Sequence, residues 1–194
     1  MFARFSGKPV AFLLGGIVGT VFGIALGFFF FPYVFPPPPA AEQLTQADLM
    51  PPAAAASSEA AMPSSPRDGS TPNAVAAPFA TGIFIHANSI DPVHWGKGRV
   101  SVYQRAVFLE PDFEVGPGPA FHVYLVPKPS IRSSSDMKDV MYVDLGGLRS
   151  FTGSQRYQIP DGVNLKDYPS VIIWCERFGV LISPADLKVV QAAN

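Results

Sequence analysis

The sequence predicts an all-β domain, a β-sandwich or partly closed barrel of about seven strands. One transmembrane helix carries it, through a disordered Pro/Ala-rich linker. Three observations lead there. Residues 1–35 are almost wholly apolar apart from Arg4, Ser6 and Lys8. Residues 36–78 hold ten prolines and no sustained apolar period. Residues 79–194 break into short runs rich in β-branched and aromatic residues, punctuated by Gly and Pro.

The N-terminal segment comes first. Val10 to Phe31 contains no charged residue, and Thr20 is its only polar side chain. As a helix it would cover roughly 33 Å, enough to cross a hydrocarbon core. A cleaved signal peptide has a shorter apolar region and a small-x-small site after it. Here Pro32, aromatics and Pro36 to Pro39 follow instead, so a retained signal-anchor is expected. Arg4 and Lys8 precede the span, and no Lys or Arg follows until Arg67. Positive flanks stay inside, so the expected topology is single-pass in the cell membrane, with a cytoplasmic N-terminus and an extracytoplasmic domain, as in a periplasm. Gly15, Gly19, Gly23 and Gly27 recur every four residues on one face. Such a bare face lets a second helix approach, which offers a homo-oligomer through the membrane helix.

The linker, 36–78, cannot bury enough apolar surface to offset its ordering entropy, so a disordered tether is expected.

In the domain, 79–194, the expected strands are Arg99 to Gln104, Ala106 to Val115, Phe121 to Val126, Met141 to Leu145, Ser154 to Ile159, Val171 to Cys175 and Phe178 to Ile182. Pro184 to Gln191 is the one candidate for a short helix. Eleven basic residues balance eleven acidic ones in this stretch, so no basic field exists to hold nucleic acid.

Catalytic motifs are few. Gly96-Lys97-Gly98 lacks the spacing of a phosphate loop, and there is no CxxC, HExxH or GxSxG. A stand-alone hydrolase is therefore not expected. His86, His94 and His122 are not at a metal-ligand spacing, so no metal is expected and no cofactor is specified. A site assembled in space from His122, Asp112 and Cys175 is the alternative to His122 as a hydrogen-bonded sheet residue.

Cys175 is the only cysteine. In an oxidising compartment it has no internal disulfide partner. It follows Val171-Ile172-Ile173-Trp174, and an extended chain would put Arg177 on its face. A guanidinium there favours the reactive thiolate, which makes Cys175 and Arg177 the candidate catalytic pair. The polar Glu176-Arg177 step leads to the expectation of a thiol near a sheet rim and at least partly accessible. The opposing reading is a buried, inert cysteine.

Several pieces come in a fixed order. They are Asp112-Phe113, Gly118-Pro119-Ala120-Phe121-His122-Val123-Tyr124-Leu125, Leu145-Gly146-Gly147-Leu148, Gly153-Ser154-Gln155-Arg156-Tyr157 and Ile159-Pro160. Tyr168, Ser170-Val171-Ile172-Ile173-Trp174-Cys175, Phe178 and Ala185-Asp186-Leu187 complete the set. Over roughly 84–188 this set resembles the electron-transfer domain called DM-thirteen, often found beside DOMON domains. The resemblance implies an extracytoplasmic β-rich domain whose cysteine, here Cys175, takes part in redox or electron transfer. Ala120 stands where the resemblance leads one to expect an acidic residue. Two functions are thus in view. One is a membrane-anchored redox module with an outside redox partner. The other is a non-enzymatic binding module, using the Gly-Pro loops and exposed aromatics such as Trp95.

Overall fold

A computed structural model of the chain describes residues 8–49 and 77–190. The expectations for Arg4 and for the middle of the linker lie outside the described residues. The chain divides into two compact units, at Pro36 and Pro37.

The first unit is helix α1, Lys8–Val34, 27 residues long. Pro36 to Pro39 follow it, and a residue before proline is pushed out of helical geometry. Side chains of α1 are described without a break from 14 to 28, and all of these are exposed. Among the described residues no helix is long and apolar enough to cross a membrane.

The second unit is one curled, mostly antiparallel sheet, a half-barrel. Its strands are β1 (Ala40–Ala41), β2 (Ala80–Phe84), β3 (Gly96–Val102), β4 (Ala106–Leu109), β5 (Glu114–Val115), β6 (Phe121–Val126), β7 (Val143–Gly147), β8 (Gly153–Gln158), β9 (Ser170–Cys175) and β10 (Val180–Val189). The order across the sheet is β1-β8-β4-β3-β2-β10-β9-β6-β7, with β5 on β3. Strand β7 returns toward β8. Phe84, Val100, Leu109, Phe113, Val123, Leu125, Tyr157, Val171 and Ile173 fill the curl. Burying each such side chain stabilises the fold by about 1.5–3 kcal/mol relative to exposure. A smaller cluster of Tyr124, Val126, Ile131, Met137, Ile172 and Leu181 lies apart from that core. Its Met137 comes from the 3₁₀ turn Ser134–Met137 in the β6–β7 connection.

The structure corrects several expectations. The partly closed barrel describes the sheet better than the sandwich, with ten strands rather than about seven. The run from Ala106 to Val115, which Pro111 already interrupts in the sequence, divides there into two strands, since proline has no N–H to give to a ladder. Pro184 to Val189 is strand, not helix. Pairing with β9 on one side and β2 on the other overrides its local preference, and a bulge between Leu181 and Ser183 precedes the proline. Strand β10 begins at Val180, so Phe178 lies outside it, exposed in the preceding turn.

The first part of the expected linker is not free either. Ala40 and Ala41 pair with Gly153 and Ser154 as β1, parallel to β8, and Gln46–Leu49 forms the short helix α2. Glu42 receives both the Nε and an Nη of Arg149, and Asp48, buried, receives Nη1 of Arg156 at 2.6 Å. Ser150 and Ser154 hydroxyls donate to the carbonyls of Pro38 and Glu42. Composition missed this strap because hydrogen bonds and ion pairs hold it, not an apolar period. Gly153 makes the approach feasible. Its φ is +87°, and a Cβ there would stand 2.1 Å from the carbonyl oxygen of Ala40.

Candidate imidazole–carboxylate site

Alternation along a strand sends neighbouring side chains to opposite faces. In β9 it places Ile173 and Cys175 in the core and Ile172 and Trp174 with the other cluster. In β6 it places Phe121, Val123 and Leu125 in the core and leaves His122 and Tyr124 facing out.

Cys175 is 1% exposed. Its thiol donates to the carbonyl of Pro119 at 3.2 Å. Its cross-strand neighbours are Phe121 and Val180. The expected accessible thiol at a rim is therefore overturned: the sulfur sits in the core. Arg177 does not share its face. The strand ends at Cys175, and residues 176–179 form the turn into β10, closed by the Gly179 N–H to the Cys175 carbonyl at 2.9 Å. Gly179 supplies the left-handed residue this turn needs, at φ 61°. Period-two reasoning fails where extended geometry stops. The side chain of Arg177 is exposed in that turn.

Asp112 is also elsewhere, in the turn after β4, where it accepts from the backbone N–H and Nε of Arg99. Burial alone would raise its carboxyl, but the Arg99 hydrogen bonds and charge outweigh that and hold it below the usual range. Trp95 is half-buried, with the Lys97 ammonium 5.9 Å from its ring, so it is a poorer display surface than its sequence position suggests.

The structure instead brings His122 together with two carboxylates. His122 pairs with Gly147 across β6 and β7, and Tyr124 pairs with Asp144. The register shift between them carries Asp144 back toward the imidazole. His122 Nδ1 lies 3.0 Å from Asp144 Oδ2, and Nε2 lies 3.3 Å from Glu176 Oε2. The three side chains are 23%, 39% and 44% exposed, so the ring is sheltered and the carboxylates reach water.

Neighbouring groups fix the carboxylates. Glu176 is the first residue past β9, and its N–H donates to the Ala120 carbonyl at 3.0 Å. Ala120, where an acid was expected, adopts φ 51°, a conformation Asp tolerates better than Ala. The hydroxyl of Tyr124 donates to Glu176 Oε1 at 2.8 Å. The Gly146 N–H donates to Asp144 Oδ1 at 2.8 Å. Tyr142 stacks on Tyr124 with centroids 4.2 Å apart. Burial first, then the Glu176 hydrogen bond and Tyr142, push the Tyr124 phenol far above its ordinary value. It therefore remains a donor at any physiological pH.

One ring nitrogen and one oxygen from each carboxylate all lie within 4.8 Å of one another. Of these residues the sequence pointed only to His122, with Trp174 on the adjacent strand. Asp144 and Glu176 carried no spacing signal, because each comes from a different stretch of chain. The available hint was the pair His122 and Tyr124, two polar-ended rings on one face of an otherwise apolar strand.

An all-β half-barrel with a thiol in its core and an imidazole–carboxylate cluster on its outside defines the structural class. The family model described as electron transfer DM13 matches residues 90–187, and the chain belongs to that family. The match covers the cluster and Cys175 but neither α1 nor the strap. No curated protein and no solved structure matches the chain.

Proposed function

We propose that the chain is a membrane-anchored electron-transfer domain that works outside the cytoplasm, through the outer face around His122 and not through the thiol of Cys175. Family membership supports the electron-transfer class. One observation carries the choice of face: Cys175 is 1% exposed, while His122, Asp144 and Glu176 converge where a partner can reach them. Thiol exchange requires a thiolate that meets its partner directly, and a core sulfur cannot do so.

We assign the anchor to α1 on its sequence, since Val10 to Phe31 carries no charged residue, although among the described residues no helix is long and apolar enough to cross a membrane. Its exposed large apolar side chains, such as Leu14, Ile17, Val21 and Phe22, suit a non-aqueous surround. The charge pattern of the sequence puts its N-terminus inside. Gly15, Gly19, Gly23 and Gly27 have open space at their Cβ positions, which suits self-association of two copies in the bilayer. A reporter fused after Asn194 should be active only outside the cytoplasm; activity inside would reverse the topology.

Voltammetry of the full chain in a lipid film tests the function, with the electrode as donor and acceptor. Imidazole and carboxylates carry no redox couple of their own, so the film is supplied with copper(II) as the redox-active ion: a reversible copper wave is expected in the wild type, kept by Cys175→Ser and shifted or lost in Glu176→Gln. Loss of the wave in folded Cys175→Ser would return the role to the thiol. No wave in any variant would favour the tethered binding module, with a protein or glycan of the envelope as its partner.

A further inference from the structure

We infer that His122, Asp144 and Glu176 form a binding site for a divalent first-row transition cation. The inference stands on side-chain geometry and goes beyond the electron-transfer reading. The cluster carries two carboxylates against, at most, one imidazolium charge. Among the described residues neither Asp144 nor Glu176 forms an ion pair with a Lys or Arg. Some other described acids have such cations, as Asp112 has Arg99 and Asp186 has Arg132. An excess of negative charge beside a ring nitrogen favours a cation there.

The donor set narrows which cation. One imidazole nitrogen and two carboxylate oxygens suit zinc, copper or manganese, whereas magnesium prefers oxygen alone. The three donor atoms already lie within 4.8 Å of one another, so small side-chain movements would close them on an ion. Bond lengths near 2.0–2.2 Å require the donor atoms to draw about 1 Å closer together than that. The partly exposed carboxylates leave further positions to water.

The surroundings match what metal ligands need. Carboxylates that bind metals are themselves held by hydrogen bonds, and here Tyr124 holds Glu176 while the Gly146 N–H holds Asp144. The remaining oxygens, Asp144 Oδ2 and Glu176 Oε2, face the two nitrogens of the imidazole, so an ion would take the place of one ring N–H contact.

Calorimetric titration of the full chain in detergent with zinc chloride tests the inference, with copper(II) as the spectroscopic probe. The wild type should bind one zinc ion, undisturbed by excess magnesium. Asp144→Asn and Glu176→Gln, each nearly isosteric, should weaken binding more than tenfold. His94→Gln should change nothing, although His94 and Asp91 form the other histidine–carboxylate pair, at 2.6 Å. Bound copper(II) should show coupling to a single imidazole nitrogen in its paramagnetic resonance spectrum, a readout that needs no variant to fold. Absence of zinc binding, unchanged affinity in both carboxylate variants, loss in His94→Gln, or copper without nitrogen coupling would each overturn the site.

Discussion

On β9, Ile173 and Cys175 lie in the core, while Ile172 and Trp174 pack in the separate cluster beside the imidazole. On β6 the same alternation divides Phe121, Val123 and Leu125 from His122 and Tyr124. The backbone is shared, but the two faces do different work. The inner one supplies apolar burial, in which a thiol is one more small side chain. The outer one carries the smaller apolar cluster of Tyr124, Val126 and Ile172 and, beside it, the imidazole of His122 between two carboxylates. A residue type alone therefore does not locate the chemistry; the parity of its position in the strand does.

Truncation on the inner face should have the largest effect. Ile173→Ala removes a fully buried side chain and should cost about 2–5 kcal/mol in a denaturant titration. If Ile173→Ala cost no more than Tyr124→Phe, the distinction between the faces would collapse.

Gly153→Ala should come next. A left-handed alanine costs about 1–3 kcal/mol, and its Cβ would collide with Ala40. The strap should detach while the barrel stays folded, read as faster hydrogen exchange at the Glu42 amide, which now donates to the Ser154 carbonyl. Unchanged exchange there would mean that β1 tolerates the side chain.

Tyr124→Phe should cost less, about 1 kcal/mol, since it removes one hydrogen bond to a carboxylate that water can still solvate. The same substitution should loosen Glu176 and weaken zinc binding without touching the core. Equal zinc affinity in the variant would remove the phenol from the cluster's support.

Acid release of the strap should be smallest, under about 1 kcal/mol for partly exposed groups. Burial would raise the Glu42 carboxyl, but hydrogen bonds from Arg149 and the Arg156 N–H, with both charges, hold it below its usual 4.5. A carboxyl depressed in the docked state stabilises docking fully above the free value. That stabilisation fades as pH falls through the docked value. Exchange at the Glu42 amide should thus quicken below pH 4.5, and Glu42→Gln should abolish the pH response. A response that survives in Glu42→Gln would assign it to another group.

Much of the fold was legible because its strands obey simple alternation. Phe121–Val126 matches the expected strand, and β9 begins one residue before the expected Val171. Strand β2 was not legible: Ala80-Thr81-Gly82 carries no apolar alternation and gains its place by pairing with β3 and β10. Nor was the strap, whose anchors Glu42 and Asp48 meet Arg149 and Arg156 more than a hundred residues away in sequence. The site was half visible. His122 stood out in its strand, but Asp144 and Glu176 reach it only through a register shift and a chain reversal, and neither leaves a spacing in the sequence. Cys175 drew attention by being single. The apolar run before it, Val171 to Ile173, was the better guide to where its sulfur lies.

The direct test is alkylation of Cys175 in the folded, full-length chain. The thiol should resist labelling at neutral pH until denaturant is added, and Arg177→Ala should leave this resistance unchanged. Rapid labelling of the native protein, slowed by Arg177→Ala, would put a reactive thiol at the surface and contradict the separation of the two faces.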